Sequence, residues 1–308
     1  MTEHETHDLV IIGAGPAALT AAVYTTREDI ETLLIEKGVV GGLAAITEWV
    51  DNYPGFAKGI SGMELASELQ AQAERFGAKI RLAEVTGIAE EGGLKKLSTT
   101  EGDLYAKAVL IATGTDYKKI GVPGEQEFYG HGVHYCATCD GALYRGKRLV
   151  VVGGGNSAVQ EGLFLTKFAT HIDLLVRSEL KASDVLLREL EKNDKITVHL
   201  GTTTDAIIGE NGQVTQVAGT QNGQKVTFET DGVFVFVGLK PNTAFLQAAN
   251  AAMLDEQGFV KSDANLQTAM PGVFVAGDVH QNSTMQIASA VGEGATAALK
   301  IRGYLESL

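Results

Sequence analysis

Twice in this chain an apolar strand runs straight into a glycine turn and a helix of small residues, and that repeat narrows the possible folds more than any other feature. In the first copy a strand spanning Asp8 to Gly13 enters Gly13-Ala14-Gly15-Pro16-Ala17-Ala18, and Ala17 to Thr26 reads as helix. A second strand, Thr32 to Ile35, ends at Glu36 and completes a β-α-β unit. In the second copy Leu149 to Val152 is the strand, Gly153-Gly154-Gly155-Asn156-Ser157-Ala158 the turn, Ala158 to Phe168 the helix and Ile172 to Val176 the next strand. Each turn has the spacing G-x-G-x-x-A. The first glycine permits the tight turn, the second lets backbone approach a pyrophosphate, and the small third residue packs helix against strand.

Other landmarks indicate how the two units are joined. Val109-Leu110-Ile111 leads into Ala112-Thr113-Gly114, and Val233 to Val237 leads into Gly238-Leu239-Lys240-Pro241, each a strand breaking into a turn. These are the expected crossings between domains. Gly272 to Asp278 is a further strand ending at an acid, read as a return to the first unit. The fold class expected is α/β, with two Rossmann-like dinucleotide-binding domains, the second inserted in the first. Residues 1–116 and 242–308 form one domain and 117–241 the other.

Composition restricts the function. The net charge of −13 argues against a nucleic acid or an anionic membrane surface as partner, since either requires a concentrated basic face. No apolar run approaches the ~18 residues of a membrane span. Met1 to Asp8 is polar and acidic, and Leu9 to Ile12 is too short for a signal-peptide core, so the expected location is cytoplasmic. The chain has 37 glycines and only 5 prolines, a usage suited to tight turns and close approach of backbone to phosphates.

The two turns differ in their downstream residues. Glu36 stands 23 positions after Gly13, where an acid can bond a ribose hydroxyl. No acid ends the second strand of the later unit, because Val176 occupies that place. Arg177 and Lys181 come next, and cations there can accommodate the 2′-phosphate of NADP; the other reading makes both of them solvated surface charges.

Cys136-Ala137-Thr138-Cys139-Asp140 contains the chain's only 2 cysteines. At this spacing they can close a small disulfide ring, and a following helix would favour a thiolate at its N-terminus. Asp140 is placed to donate or remove the proton that dithiol–disulfide exchange requires. A metal site is the competing reading, because His131, His134, Cys136 and Cys139 form a local cluster of possible zinc ligands on an extended segment. That reading leaves two dinucleotide folds without an electron acceptor.

These motifs together resemble the low-molecular-weight thioredoxin reductases over essentially the whole length. The matches are Gly13-Ala14-Gly15-Pro16-Ala17, Gly41-Gly42, Asn52-Tyr53-Pro54-Gly55, Ala112-Thr113-Gly114, Cys136 to Gly141, Gly153 to Ala158 and Gly277-Asp278. The resemblance implies an enzyme that passes electrons from NADPH through FAD to the Cys136/Cys139 disulfide and on to thioredoxin, working as a homodimer whose domains rotate about the two crossings. It implies FAD in the first domain, held by Gly13, Gly15, Pro16, Ala17, Glu36, Gly42, Leu43, Asn52, Ala112, Gly114, Gly277, Asp278, Gln286 and Ile287. NADPH is implied in the inserted domain, held by Gly153, Gly155, Asn156, Ser157, Ala158, Arg177 and Lys181. Cys139 is then the sulfur nearest the flavin, Cys136 the one that attacks thioredoxin, and Asp140 the acid/base.

Three departures accompany the resemblance. The family's His-Arg-Arg run and further Arg are here Val176-Arg177-Ser178 and Lys181. Its Arg-Gln-Ala segment is Met285-Gln286-Ile287, and its Gly-Gly-Gln-Leu segment is shortened to Gly41-Gly42-Leu43. They bear mainly on the electron donor, for which NADH or a protein such as ferredoxin is the alternative, just as another thiol protein is the alternative acceptor.

Overall fold

The computed structural model describes residues 5–47, 49–50, 52–246 and 250–308, so the first four residues of the polar Met1 to Asp8 stretch lie outside the described residues. In chain order the elements begin with β1 (Thr6–Ile12), α1 (Pro16–Thr26), β2 (Thr32–Glu36), α2 (Gly42–Ala45), α3 (Gly62–Arg75) and β3 (Lys79–Leu82). Next come β4 (Val85–Glu91), β5 (Leu94–Thr99), β6 (Gly102–Ile111), β7 (Thr115–Tyr117), β8 (Val133–His134) and the one-turn helix α4 (Ala137–Asp140). The chain continues through β9 (Arg148–Val152), α5 (Asn156–Leu165), β10 (His171–Val176), α6 (Asp184–Glu191) and β11 (Ile196–Leu200). It ends with β12 (Thr202–Glu210), β13 (Gln213–Gln221), β14 (Gln224–Glu229), β15 (Gly232–Val235), β16 (Leu239–Pro241), β17 (Val273–Val275) and α7 (Ile287–Leu305).

Two compact units result, one comprising Met1–Asp116 with Lys240–Leu308 and the other Tyr117–Leu239. The inserted unit ends at Leu239, two residues before the expected 241, and β7 and β16 pair as a two-stranded ribbon.

In the first unit the sheet order is β3-β2-β1-β6-β5-β4, with β17 also paired to β6. Strands β1, β2, β3 and β17 join in parallel, whereas β5 runs antiparallel to the first half of β6, from Thr99 opposite Gly102 to Lys95 opposite Ala106. The later residues Val109–Ile111 pair with β17, so one ten-residue strand has a different second neighbour along each half. Alternation of side chains sends Leu9 and Ile11 into one core layer and Val10 and Ile12 into the other. Both faces of β1 are buried, which is why it reads as a continuous apolar run, and each such Leu or Ile contributes roughly 1.5–3 kcal/mol. Helices α1 and α7 cover the first face through small residues: a Cβ at Gly294 would lie 2.2 Å from the Ala17 carbonyl oxygen, so only glycine permits that approach.

The second unit repeats the design in a five-stranded parallel sheet ordered β11-β10-β9-β15-β8, with a separate three-stranded antiparallel sheet β12-β13-β14. Helix α5 begins at Asn156 and stops at Leu165, short of the expected Phe168. The chain tightens there: Lys167 N–H donates to Phe164 O and Phe168 N–H to Leu165 O, both three residues back, while Thr166 Oγ1 donates to Leu163 O. Among the described residues no helix is long and apolar enough to cross a membrane.

Candidate active site

The two glycine turns have the same construction. Gly13 has φ +103° and a Cβ there would lie 2.5 Å from Ala112 O; Gly153 has φ +146° and its Cβ would lie 2.4 Å from Phe236 O. Any side chain at either position would strike the neighbouring strand end. Gly15 and Gly155 are different, since a Cβ on either would meet nothing within 4 Å. Packing within the chain therefore does not require glycine at these two positions, but an incoming group laid on the backbone would. Gly15 and Gly155 are the extended N-caps of α1 and α5, and neither helix has a side-chain cap to satisfy its first amides. Pro16 at the start of α1 has no amide to satisfy. The residues present fit a phosphate-bearing cofactor in both units.

In the first unit the expected residues converge beyond the carboxyl ends of β1, β2, β6 and β17, the customary ligand position for an α/β sheet. Glu36 at the end of β2 accepts from Ala14 N–H through Oε2 at 2.8 Å and from Gly38 N–H through Oε1 at 2.7 Å, which fixes its carboxylate beside the turn. The segment carrying Gly42 and Leu43 is drawn in by Gly41 N–H donating to Ala14 O at 2.7 Å, and a Gly42 Cβ would lie 3.7 Å from Gly15 Cα. Asn52 Nδ2 donates to Gln286 Oε1 at 3.1 Å, joining two residues far apart in sequence. Ala112 N–H donates to Ile12 O at 2.9 Å, Gly114 O accepts from Asn242 N–H at 3.0 Å, and Ile287 opens α7 against Val50, Ile60 and Leu65. Gly277 faces Ala17, with its Cβ position 3.0 Å from that of Ala17.

Sequence reasoning missed Glu293 on α7. Its Oε2 accepts from Gly277 N–H at 2.8 Å and lies 3.5 Å from His280 Nδ1. Burial, with a smaller contribution from the Glu293 charge, pushes the neighbouring Asp278 carboxyl up to about 6. The only signal was an isolated acid among the small residues Gly292, Gly294 and Ala295 of a helix.

In the second unit Arg177 to Ser183 folds across the Gly153–Asn156 turn. Lys181 N–H donates to Gly154 O at 2.6 Å and Ser183 N–H to Asn156 Oδ1 at 2.8 Å. Val176 is buried against Gly154, and Asn156 and Ser157 face solvent. Ala158 is fully buried, its Cβ 2.8 Å from where a Cβ on Gly153 would lie. Arg177 is exposed and, among the described residues, makes no ion pair, whereas Lys181 Nζ lies 3.5 Å from Glu179 Oε1.

Cys136 and Cys139 are joined as a disulfide with Cα atoms 5.3 Å apart. Cys136 caps α4, its sulfur accepting from Cys139 N–H at 3.1 Å. Asp140, in the same turn, lies with Oδ2 3.1 Å from Nδ1 of the buried His134, whose Nε2 is 2.7 Å from the Tyr144 hydroxyl. Nε2 of His134 is thus hydrogen-bonded, its Nδ1 lies within ion-pair distance of Asp140, and both sulfurs are taken up by the disulfide. Among the described residues no group of three or more His, Cys, Asp or Glu could hold a metal ion. Nearby, Glu125 is buried and accepts from Ile120 N–H, Gly121 N–H and the Tyr135 hydroxyl, tying the loop before the cysteines to the residue next to Cys136.

Comparison with known proteins agrees with this geometry. The model of the pyridine nucleotide-disulphide oxidoreductase family matches residues 7–294. The thioredoxin reductase of Bacillus subtilis is 42% identical over 100% of this chain and 98% of its own, and that of Listeria monocytogenes 39% identical over 100% and 96%. The crystal structure of thioredoxin reductase from Streptococcus pyogenes superposes with a TM-score of 0.93 at 37% identity, covering 99% of this chain and 100% of that one. A flavin and a pyridine nucleotide are the cofactors such a family implies, and this chain belongs to the thioredoxin reductases of the pyridine nucleotide-disulphide oxidoreductase family.

Proposed function

We propose that the chain is a thioredoxin-disulfide reductase, with FAD in the discontinuous unit, NADPH in the inserted unit, and the Cys136–Cys139 disulfide as the couple that meets thioredoxin. The observation that carries this reading is the coincidence, in one chain, of two open glycine cradles with a redox-capable disulfide whose next residue is a carboxylic acid.

The residues suggest the roles. Gly15 and the uncapped amides of α1 receive the FAD pyrophosphate, and Glu36 the adenosine ribose; Asp278, Asn52 and Gln286 serve the flavin end. Gly155 with α5 receives the NADPH pyrophosphate, and Arg177 and Lys181 its 2′-phosphate. The flavin supplies the two-electron chemistry that links nicotinamide to disulfide. Reduction of the disulfide requires two electrons and two protons, and Asp140 is the group next to the sulfurs that can hold one of those protons. The Cys136 thiolate then attacks the thioredoxin disulfide, and Cys139 displaces reduced thioredoxin from the mixed disulfide. The family resemblance alone supports extending the reading to a cytoplasmic homodimer.

The loss of one cation from the nucleotide run keeps NADH, or a protein donor, as a second reading. Anaerobic stopped-flow addition of NADPH and NADH in separate runs distinguishes them. Rapid flavin bleaching by NADPH, followed by oxidation of the reduced enzyme by thioredoxin, is the expected result. Bleaching by neither nucleotide would overturn the assignment of the donor.

A further inference from the structure

The imidazole of His134 is used neither by a metal nor by the proposed electron path, yet it is built into the site. It is 5% exposed, stacks on Phe234 with ring centroids 5.2 Å apart, and meets the edge of Tyr144 at 5.3 Å. It spans two polar partners, Asp140 Oδ2 at 3.1 Å from Nδ1 and the Tyr144 hydroxyl at 2.7 Å from Nε2. We propose that His134 is a positioning residue for the disulfide chemistry, acting through Asp140 and anchored by Tyr144.

The chemistry of imidazole suits this task. A carboxylate only accepts hydrogen bonds, so an ionised Asp140, its Oδ2 3.1 Å from Nδ1, favours the tautomer with the proton on Nδ1, in which Nε2 accepts from the Tyr144 O–H. Beside a protonated Asp140 the other tautomer fits: the carboxyl O–H donates to Nδ1, and Nε2–H donates to the Tyr144 oxygen, which can act in either sense. An imidazole, with one donor and one acceptor nitrogen, can therefore stay paired with Asp140 in both protonation states, which a hydrophobic residue at this place could not do.

The bookkeeping of the couple shows where this matters. When the Cys136–Cys139 bond is reduced, one S–S bond breaks, two electrons and one proton arrive from the nucleotide donor as the equivalent of a hydride, and the second proton comes from Asp140, so that two protons end on sulfur. When thioredoxin is reduced, the same bond re-forms, the thioredoxin S–S bond breaks, and the two protons pass to the thioredoxin sulfurs, leaving Asp140 to be reprotonated from solvent. Asp140 must thus change charge in every cycle without leaving its position. The other titratable groups that face this pair are Cys136 and Cys139 on and beside α4, Tyr144 in the following turn, and Tyr129, whose hydroxyl is pushed up by burial and then by the Asp140 charge. The Lys119 ammonium lies over the Tyr129 ring at 5.9 Å.

This inference rests on the proposed function, and its test is arranged so that the two can fail separately. The reduced holoenzyme is alkylated with iodoacetamide across pH 5–9, and the effect of Asp140→Asn on the rate is compared in the wild-type, His134→Ala, His134→Asn and Tyr144→Phe backgrounds. Turnover with thioredoxin is followed over the same pH range, and the bound-flavin spectrum reports the fold. The expected result is that Asp140→Asn changes the alkylation profile strongly in the wild-type background and by less than half as much, on a logarithmic scale, in His134→Ala. His134→Ala loses turnover about tenfold or more and shifts its pH profile; His134→Asn, which keeps a donor where Nδ1 stood, recovers most of the rate. Tyr144→Phe moves both readouts in the same direction by less, and does so without opening a cavity at position 134. An Asp140→Asn effect of equal size in every background would overturn the role of His134. Absence of thioredoxin turnover in the wild type would overturn the proposed function while the alkylation comparison still decides the inference.

Discussion

The buried carboxyl of Asp278 makes a quantitative demand on stability. Its ordinary value is 3.8, and in the folded chain burial, followed by the Glu293 charge, raises it to about 6. A carboxyl raised on folding favours the fold most while it is protonated; that contribution is complete below pH 3.8 and is lost as pH rises through about 6. The difference between 3.8 and about 6, at about 1.4 kcal/mol per pH unit, is about 3 kcal/mol. Residual contact of Asp278 with solvent makes this a ceiling. Asp278→Asn has nearly the same shape and no proton to lose. In the cofactor-free protein its unfolding free energy should match that of the wild type near pH 4 and exceed it by about 2 to 3 kcal/mol at pH 8. Urea unfolding of both proteins at half-unit intervals from pH 4 to pH 8.5 measures this. The same substitution should weaken flavin binding by about tenfold or more, since an ionised acceptor is lost, so the variant trades cofactor affinity for stability. A stability difference that stays flat across the pH range would refute the reasoning, because the gain would then come from something other than ionisation.

Other parts of the site lead to further expected outcomes. Cys136→Ser should keep its flavin and its bleaching by pyridine nucleotide but lose thioredoxin turnover; undiminished turnover would refute the assigned order of the two sulfurs. Arg177→Ala should weaken NADPH relative to NADH by about 1 to 3 kcal/mol, and an unchanged ratio of the two apparent affinities would leave Arg177 as surface charge. Gly294→Ala would place a methyl group 2.2 Å from Ala17 O and force α7 away from α1, lowering stability by about 1 to 3 kcal/mol in thermal unfolding; unaltered stability would mean that the helices can separate freely.

Features encoded within a few consecutive residues are the ones legible in the sequence. Gly13 and Gly153 can be read because a turn tight enough to strike the next strand end admits no side chain, and Cys136 with Cys139 because their spacing permits a small disulfide ring, although it permits chelation as well. The antiparallel sheet β12-β13-β14 escaped the sequence reading, although its signal is present: Asn211-Gly212 and Asn222-Gly223 both have positive φ and form the two hairpin turns. Helix α3 is likewise announced by Ser61, whose side chain accepts from Glu64 N–H at 3.2 Å. Glu293 and the pairing of Asn52 with Gln286 are not legible, because these residues gain their meaning from contact with segments many residues away. His134 is an intermediate case. Its sequence context marks it as a possible ligand, but its role depends on how the short turn from Cys136 to Tyr144 folds back on itself, and spacing does not specify that.

The discontinuity of the first unit also has a consequence for biosynthesis. Residues 117–239 are contiguous, so once they have left the ribosome they can bury their own sheet without waiting for later sequence. The preceding segment cannot do the same, because β17, which pairs with β6, and α7, which packs on α1, are made last. Until then the second half of β6 has an open edge and α1 an uncovered apolar face. Cofactor loading should accordingly be among the final events of maturation, and a nascent chain stalled before Val273 should present a formed second unit beside an unfinished first one that is a target for chaperones.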